Sequence, residues 1–227
     1  MVEMQDSLKD VSEHMCALGL GALRHANWHA NYWSPENDHW SELSVIQAAH
    51  AAEILIKARI AEEHPLLIFE NFPKRQNTNS PLALEHLIQG GRTYQYMDLP
   101  DRLWATTGLT LSNPDLFKKF GALRNQIQHF AAPPRSVTKD AIEFIYGVID
   151  PFINQCWGLF AVDYNEDHEP YLHLVPNIIQ HGVSFLVSPD MVNVVDDMEI
   201  TWPEDNPAYK TEMLSRFQAE KLKKISA

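Results

Sequence analysis

Residues 41–65 read SELSVIQAAHAAEILIKARIAEEHP. Val45, Ala49, Ala52, Ile56 and Ile60 recur at three- and four-residue steps, which places them on one stripe of an α-helix. Glu53 stands four residues before Lys57, the order in which such a pair supports a helix best. Ser41 is a candidate N-cap. His64–Pro65 ends the segment, because a proline disfavours helical geometry in the residue before it. The spacing therefore predicts a helix over 41–63, and this helix sets the expectation for the chain around it.

Upstream, Val11, Met15, Leu18 and Leu23 predict a helix over 10–32, with Gly19 and Gly21 weakening its middle. SPEND at 34–38 reads as a turn or a helix start. Downstream, the apolar run 66–69 gives way to a polar loop, PKRQNTNSP. A short helix follows, capped by Ser80, with Pro81 in its first turn and Gly90–Gly91 as its stop. Asn113–Pro114 starts another helix, with Asp115 favourable near the dipole. Leu116, Phe120, Leu123 and Ile127 form its expected core face, and Pro133–Pro134 stops it. A further helix begins near Val137, with Ile142, Ile145, Val148 and Ile149 inward, and Pro151 is expected to kink or break it.

Beyond residue 160 the pattern becomes mixed. YLHLVPNIIQHGVSFLV is ambiguous between helix and strand. Val192, Val194, Val195, Ile200 and Trp202 look strand-like, and a helix is expected over 208–224. The fold class is thus mainly α: a bundle of four to six helices over 1–160, with a mixed, acidic C-terminal extension over 161–227.

Composition narrows the class. The chain has 227 residues, 45% hydrophobic, and two cysteines, Cys16 and Cys156. That usage suits a globular protein in a reducing compartment. MVEMQDSLKD has neither the basic start nor the apolar core of a signal peptide, and no apolar run approaches the ~20 residues that span a bilayer. A cytoplasmic protein is expected.

The net charge of −12 is unevenly placed. Asp140 to Tyr209 holds 13 acidic residues and no Lys or Arg, leaving 17 acids against 18 bases elsewhere. Between Lys118 and Lys139 there are five bases and no acid. The segregation fits either a phosphate-binding face or two solvated faces of opposite sign.

RNQIQHF, Arg124 to Phe130, lies in that basic window. Two other arginines also have a histidine five residues on: Arg59 with His64, crowded by Glu62 and Glu63, and Arg24 with His29 in an aromatic setting. At about 100° per residue, His129 points roughly opposite the expected core stripe and Asn125 lies within about 40° of it. Arg124 lies about 140° from His129, so one straight helix cannot easily aim both at one atom. Either the helix distorts near its end or two copies meet across a dimer. A solvated polar helix end remains the alternative.

Arginine offers a planar fork of donors to phosphate oxygens, and histidine exchanges protons near neutral pH. Together they suit cleavage of RNA by its own 2′-hydroxyl, without a metal.

A long helix with an inner Glu and Lys (HAAEILIKARIAEEH), then a helix ending in RNQIQH, then a further amphipathic helix: this arrangement over about 40–160 resembles the HEPN domain. The resemblance implies a small helical bundle whose members often dimerise to bring two motifs into one composite cleft. Many are metal-independent endoribonucleases of bacterial toxin or antiviral defence systems. It implies Arg124 and His129 as catalytic, Asn125 as the polar neighbour, and an antitoxin or regulatory protein as a possible partner. Lys118, Lys119, Arg135 and Lys139 would contact RNA. No cofactor, metal or membrane is expected. Members without activity serve as dimerisation or adaptor modules, the second reading.

Other groups are weighed beside it. His25, His29 and His39 could share a zinc ion, or His25 and His29 could belong to an aromatic helix packing through Trp28, Tyr32 and Trp33. Glu53 could support the cleft or merely pair with Lys57. Trp104 and Tyr94 could stack on bases or fill core. Part of the acidic segment between Asp163 and Asp205 could lie near the motif and compete with RNA phosphates.

Overall fold

The computed structural model describes residues 6–74 and 82–225. The expected mainly helical class is what it shows, with 68% helix and 2% strand. In chain order the helices are α1 (Asp6–Lys9), α2 (Val11–Asn31), α3 (Trp40–Glu63), α4 (Leu84–Gly90), α5 (Leu99–Thr107), α6 (Pro114–His129), α7 (Thr138–Phe144), α8 (Asp150–Trp157), α9 (Pro170–Gln180) and α10 (Pro207–Ile225). Two short strands, β1 (Phe69–Asn71) and β2 (Arg92–Thr93), pair antiparallel, Phe69 opposite Thr93.

The chain forms two compact units: Met1–Gly19 with Ala52–Thr110, and Leu20–Ala51 with Leu111–Ala227. Helices α2 and α3 each contribute to both. Residues beyond 160 fold in the same unit as 20–51 and 111–160, because buried polar groups tie them there.

In the first unit, every member of the stripe it holds is buried, Ala52, Ile56 and Ile60 among them. Lys57, only 7% exposed, is held by Glu53 at 2.7 Å and by the Thr93 hydroxyl at 3.1 Å, which fastens β2 to α3. Arg102 of α5 donates to the Leu67 carbonyl at 2.9 Å and lies 4.7 Å from the Tyr94 ring centre. Gly19, read as a weak point of α2, has a packing role: a Cβ there would stand 2.7 Å from the Leu55 side chain. The α3 helix ends at Glu63 as expected. His64 is extended, and its ring accepts from the Leu66 N–H. Helix α5 was not anticipated, although Pro100 near its start and Gly108 (φ 73°) at its C-cap are ordinary stop and start signals. The Ser80–Pro81 cap lies outside the described residues; its helix appears as Leu84–Gly90, with Gly91 as C-cap.

In the second unit, α6 is capped as expected, the Asn113 side chain accepting from the Leu116 N–H at 3.1 Å. Its buried face is centred on Phe117, Phe120 and Gly121, one position round from the expected stripe; Leu116, Leu123 and Ile127 are half-buried. Phe120 stacks on Phe144 of α7 with ring centres 3.8 Å apart. Pro151 breaks nothing. Residues Ile145–Ile149 widen into a π turn in which the Asp150 N–H bonds back to the Ile145 carbonyl, and the wider turn carries α7 into α8 across the missing proline donor.

Asp150 is fully buried. Its two carboxylate oxygens accept from the Ala161 and Leu186 N–H groups, each at 2.8 Å. Asn27 of α2 donates to the carbonyls of Ala161 and Tyr164 and accepts from the Tyr146 hydroxyl. The strand-like residues 192–202 form no strand. Met191–Asn193 and Val195–Asp197 are 3₁₀ turns that bury Val192 and Val195, and α10 closes over this segment through Met213 and Phe217. β-branched residues were here serving burial rather than a ladder.

Candidate functional site

The motif occupies the last turns of α6. α-Helical bonding persists to its end, the Phe130 N–H reaching the Gln126 carbonyl at 2.9 Å. Of the two alternatives, a distorted helix end is not the one seen, and Arg124 and His129 keep the divergence of about 140° that a regular helix imposes. Arg124 is half-buried at the flank and donates to Gln128 at 3.2 Å. Asn125 and His129 are exposed.

The four other basic residues separate into two pairs. Lys118 and Lys119 are exposed and form no ion pair among the described residues. Arg135 is engaged by Asp140 through both guanidinium nitrogens, at 2.5 and 3.0 Å, and Lys139 stands 3.7 Å from Glu143. Those two are offset by their own neighbours. Lys119 lines an open groove of about 420 Å³ with Asp115, Glu143, Gly147 and Ser184, a surface of mixed sign. Lys118 lies on another face. It is about 20° from Asn125 and about 20° from His129 in projection, so Lys118, Ala122, Asn125 and His129 form one exposed row.

Phe130 adds a residue that pattern reading does not mark. It continues the three-residue step from Ile127 and so resembles core. The chain leaves helical geometry there (φ −132°, ψ −76°) and the ring is 87% exposed.

Four acidic residues of 163–199 have partners outside the motif. Asp163 accepts from Ser188 and Tyr171, at 2.6 and 2.9 Å. Asp167 accepts from Tyr32 at 2.7 Å, Glu166 meets His25 at 3.1 Å, and Asp196 holds Lys221 of α10 at 2.6 Å. Burial pushes the Asp163 carboxyl up, while the Tyr32 hydroxyl holds that of Asp167 down.

The other Arg–His pairs have structural duties. Arg59 pairs with Glu62 and Glu63, and His64 caps a turn. Arg24 lies over the Tyr164 ring at 5.6 Å. The His29 Nδ1–H donates to the His25 carbonyl at 2.7 Å and the ring packs on Trp40 with centres 4.2 Å apart; burial lowers its pKa. Among the described residues no group of three His, Cys, Asp or Glu is placed to hold a metal ion. Trp28 and Tyr32 pack as the aromatic reading expects, stacked at 4.2 Å, but Trp33 is 80% exposed and takes no part. Trp104 is exposed, and Tyr94 serves as the platform for Arg102. No described helix is long and apolar enough to cross a membrane.

Comparison with protein-family models, curated proteins and solved structures returns no match.

Proposed function

We propose that the protein is a HEPN-like, metal-independent endoribonuclease that cleaves single-stranded RNA in a bacterial toxin or antiviral defence setting. The observation that carries this reading is the end of α6. It presents His129 and Asn125 to solvent in one row with Lys118, which has no ion pair among the described residues, in the acid-free stretch from Lys118 to Lys139 that holds five bases.

In the reaction the 2′-hydroxyl oxygen attacks the adjacent phosphorus as the bond to the 5′-oxygen breaks. His129 accepts the hydroxyl proton or supplies one to the leaving oxygen, and an arginine fork neutralises the charge gathering on the non-bridging oxygens. The products are a 2′,3′-cyclic phosphate and a 5′-hydroxyl. Because Arg124 and His129 diverge on their own helix, the working set takes His129 from one copy and Arg124 from another across an isologous C₂ contact.

The test is cleavage of single-stranded RNA in EDTA with end-group analysis of the products. Arg124→Ala and His129→Ala should each abolish cleavage without unfolding the chain, and mixing the two variants should restore part of it. Activity lost in EDTA, or retained in both variants, refutes the mechanism. The same divergence of the pair favours a second reading, a non-catalytic HEPN-like dimerisation or adaptor module for a regulatory or antitoxin protein. RNA binding or dimerisation without any cleavage would establish that one.

A further inference from the structure

We infer that the exposed row of α6, ending in Phe130, is a track for a single RNA strand: the Phe130 ring stacks on a base beside the scissile phosphate and Lys118 holds a phosphate further along. This rests on the ribonuclease reading and adds to it the residues along which the strand lies.

Two independent features carry it. The first is the ring. Phe117, Phe120, Phe144, Phe152, Phe185 and Phe217 of the same unit are all buried, whereas Phe130 is 87% exposed directly after His129. A lone exposed apolar side chain is common; one that follows a proton-transfer group directly in the chain, with its ring open to solvent, is of the kind on which unpaired bases stack. A base inside a duplex is stacked on its neighbours and cannot offer that face.

The second is the row itself. Lys118 and His129 are about 20° apart in projection and eleven residues apart in sequence, about 16 Å along the axis. At roughly 3.4 Å per stacked nucleotide that is about five nucleotides, and fewer if the strand is extended. The positions between them, Ala122 and Asn125, are small or polar and leave the surface unobstructed. Lys118 carries no ion pair among the described residues, so its charge is not offset by a bonded acid as those of Arg135 and Lys139 are.

The experiment measures binding of labelled single-stranded oligouridine by fluorescence anisotropy in a His129→Ala chain, where the probe stays intact. Phe130→Ala and Phe130→Leu should both weaken binding roughly 5- to 100-fold, and Phe130→Trp should preserve it, because stacking needs a π face and not merely an apolar one. Lys118→Ala should flatten the dependence of log affinity on log salt by about 0.7. Equal affinity for all three Phe130 variants overturns the inference. So does a loss of dimer by light scattering in Phe130→Ala and Phe130→Leu at unchanged affinity per chain, since the ring would then cover a second copy of the protein. Wild-type cleavage is read separately. Cleavage that ignores Phe130 sinks the track alone; Phe130-dependent binding without cleavage sinks the nuclease reading and leaves the track.

Discussion

Replacing Asp150 with asparagine should change how stability depends on pH. Asp150 has no solvent exposure, and burial pushes its pKa from 3.8 to about 7, against the opposing pull of the Ala161 and Leu186 N–H groups. Its charged surroundings act both ways: Asp163 raises the value further and Arg216 lowers it. A carboxyl whose folded value lies above its unfolded one binds a proton more tightly in the folded chain. Its contribution is full below about pH 4 and is lost as pH rises through about 7. At roughly 1.4 kcal/mol per tenfold change, the interval amounts to about 4 kcal/mol, a large share of the 5–15 kcal/mol typical of a folded chain. Asparagine does not titrate. It keeps one acceptor for one of the two N–H groups and turns an amide donor toward the other, a mismatch of about 1–3 kcal/mol. The wild type should therefore exceed Asp150→Asn most in mild acid, and the gap should shrink, and can reverse, toward about pH 8. Urea unfolding of both chains across that range gives the difference directly, and effects of titrating groups that do not interact with Asp150 cancel in it. A gap that stays constant across the range, or widens as pH rises, refutes the reasoning.

Gly19→Val should destabilise the chain by about 1–3 kcal/mol, read from the denaturation midpoint, because its branches would enter the Leu55 side chain. Glu53→Ala removes the carboxylate that, among the described residues, is bonded to the buried Lys57 and should cost about 1–3 kcal/mol, whereas Glu53→Ala combined with Lys57→Met should recover most of the loss; a double variant no better than the single one would refute the pairing. Asp196→Asn breaks only an exposed pair with Lys221, so stability should change by less than about 1 kcal/mol and RNA affinity at low salt should not rise.

The helices that could be read from the sequence were those with a one-sided stripe and an explicit stop. α3 shows this best: its apolar step, its Glu53–Lys57 pair and its His64–Pro65 end are all local signals, and each appears in the fold. Asn113 likewise announces α6. Legibility failed where burial depends on distant partners. Val192 and Val195 look like strand but fill a helical core beneath α10. Asp150 looks like surface acid, yet it clamps two backbone amides 11 and 36 residues away, and no local spacing signals such a clamp. At the motif, spacing correctly gave the outward aim of His129. It could not give the exposure of Phe130, because that depends on the residue at which the helix stops.

The same long-range pairing bears on how so acidic a protein could meet RNA. A net charge of −12 would repel phosphate if it acted as one field. At physiological salt a charge is felt over about 8 Å, so the phosphate responds to its neighbours and not to the total. Those neighbours differ along α6. Beside Lys119 stand Asp115 and Glu143, a local balance that leaves little attraction. Along the row from Lys118 through Asn125 to His129 and Phe130 the side chains are positive, neutral or aromatic. Several tail acids, meanwhile, are met at close range: Asp196 by Lys221, Glu166 by His25, Asp163 by two hydroxyls. An acid bonded to a cation, as Asp196 is to Lys221, contributes a dipole at a distance, which fades faster than a charge, whereas one held by hydroxyls keeps its charge. Asp196 is thereby drawn into holding α10 to the tail, and on the proposed reading the exposed row on α6, with Lys118 as its charged member, is where a strand of phosphates would lie.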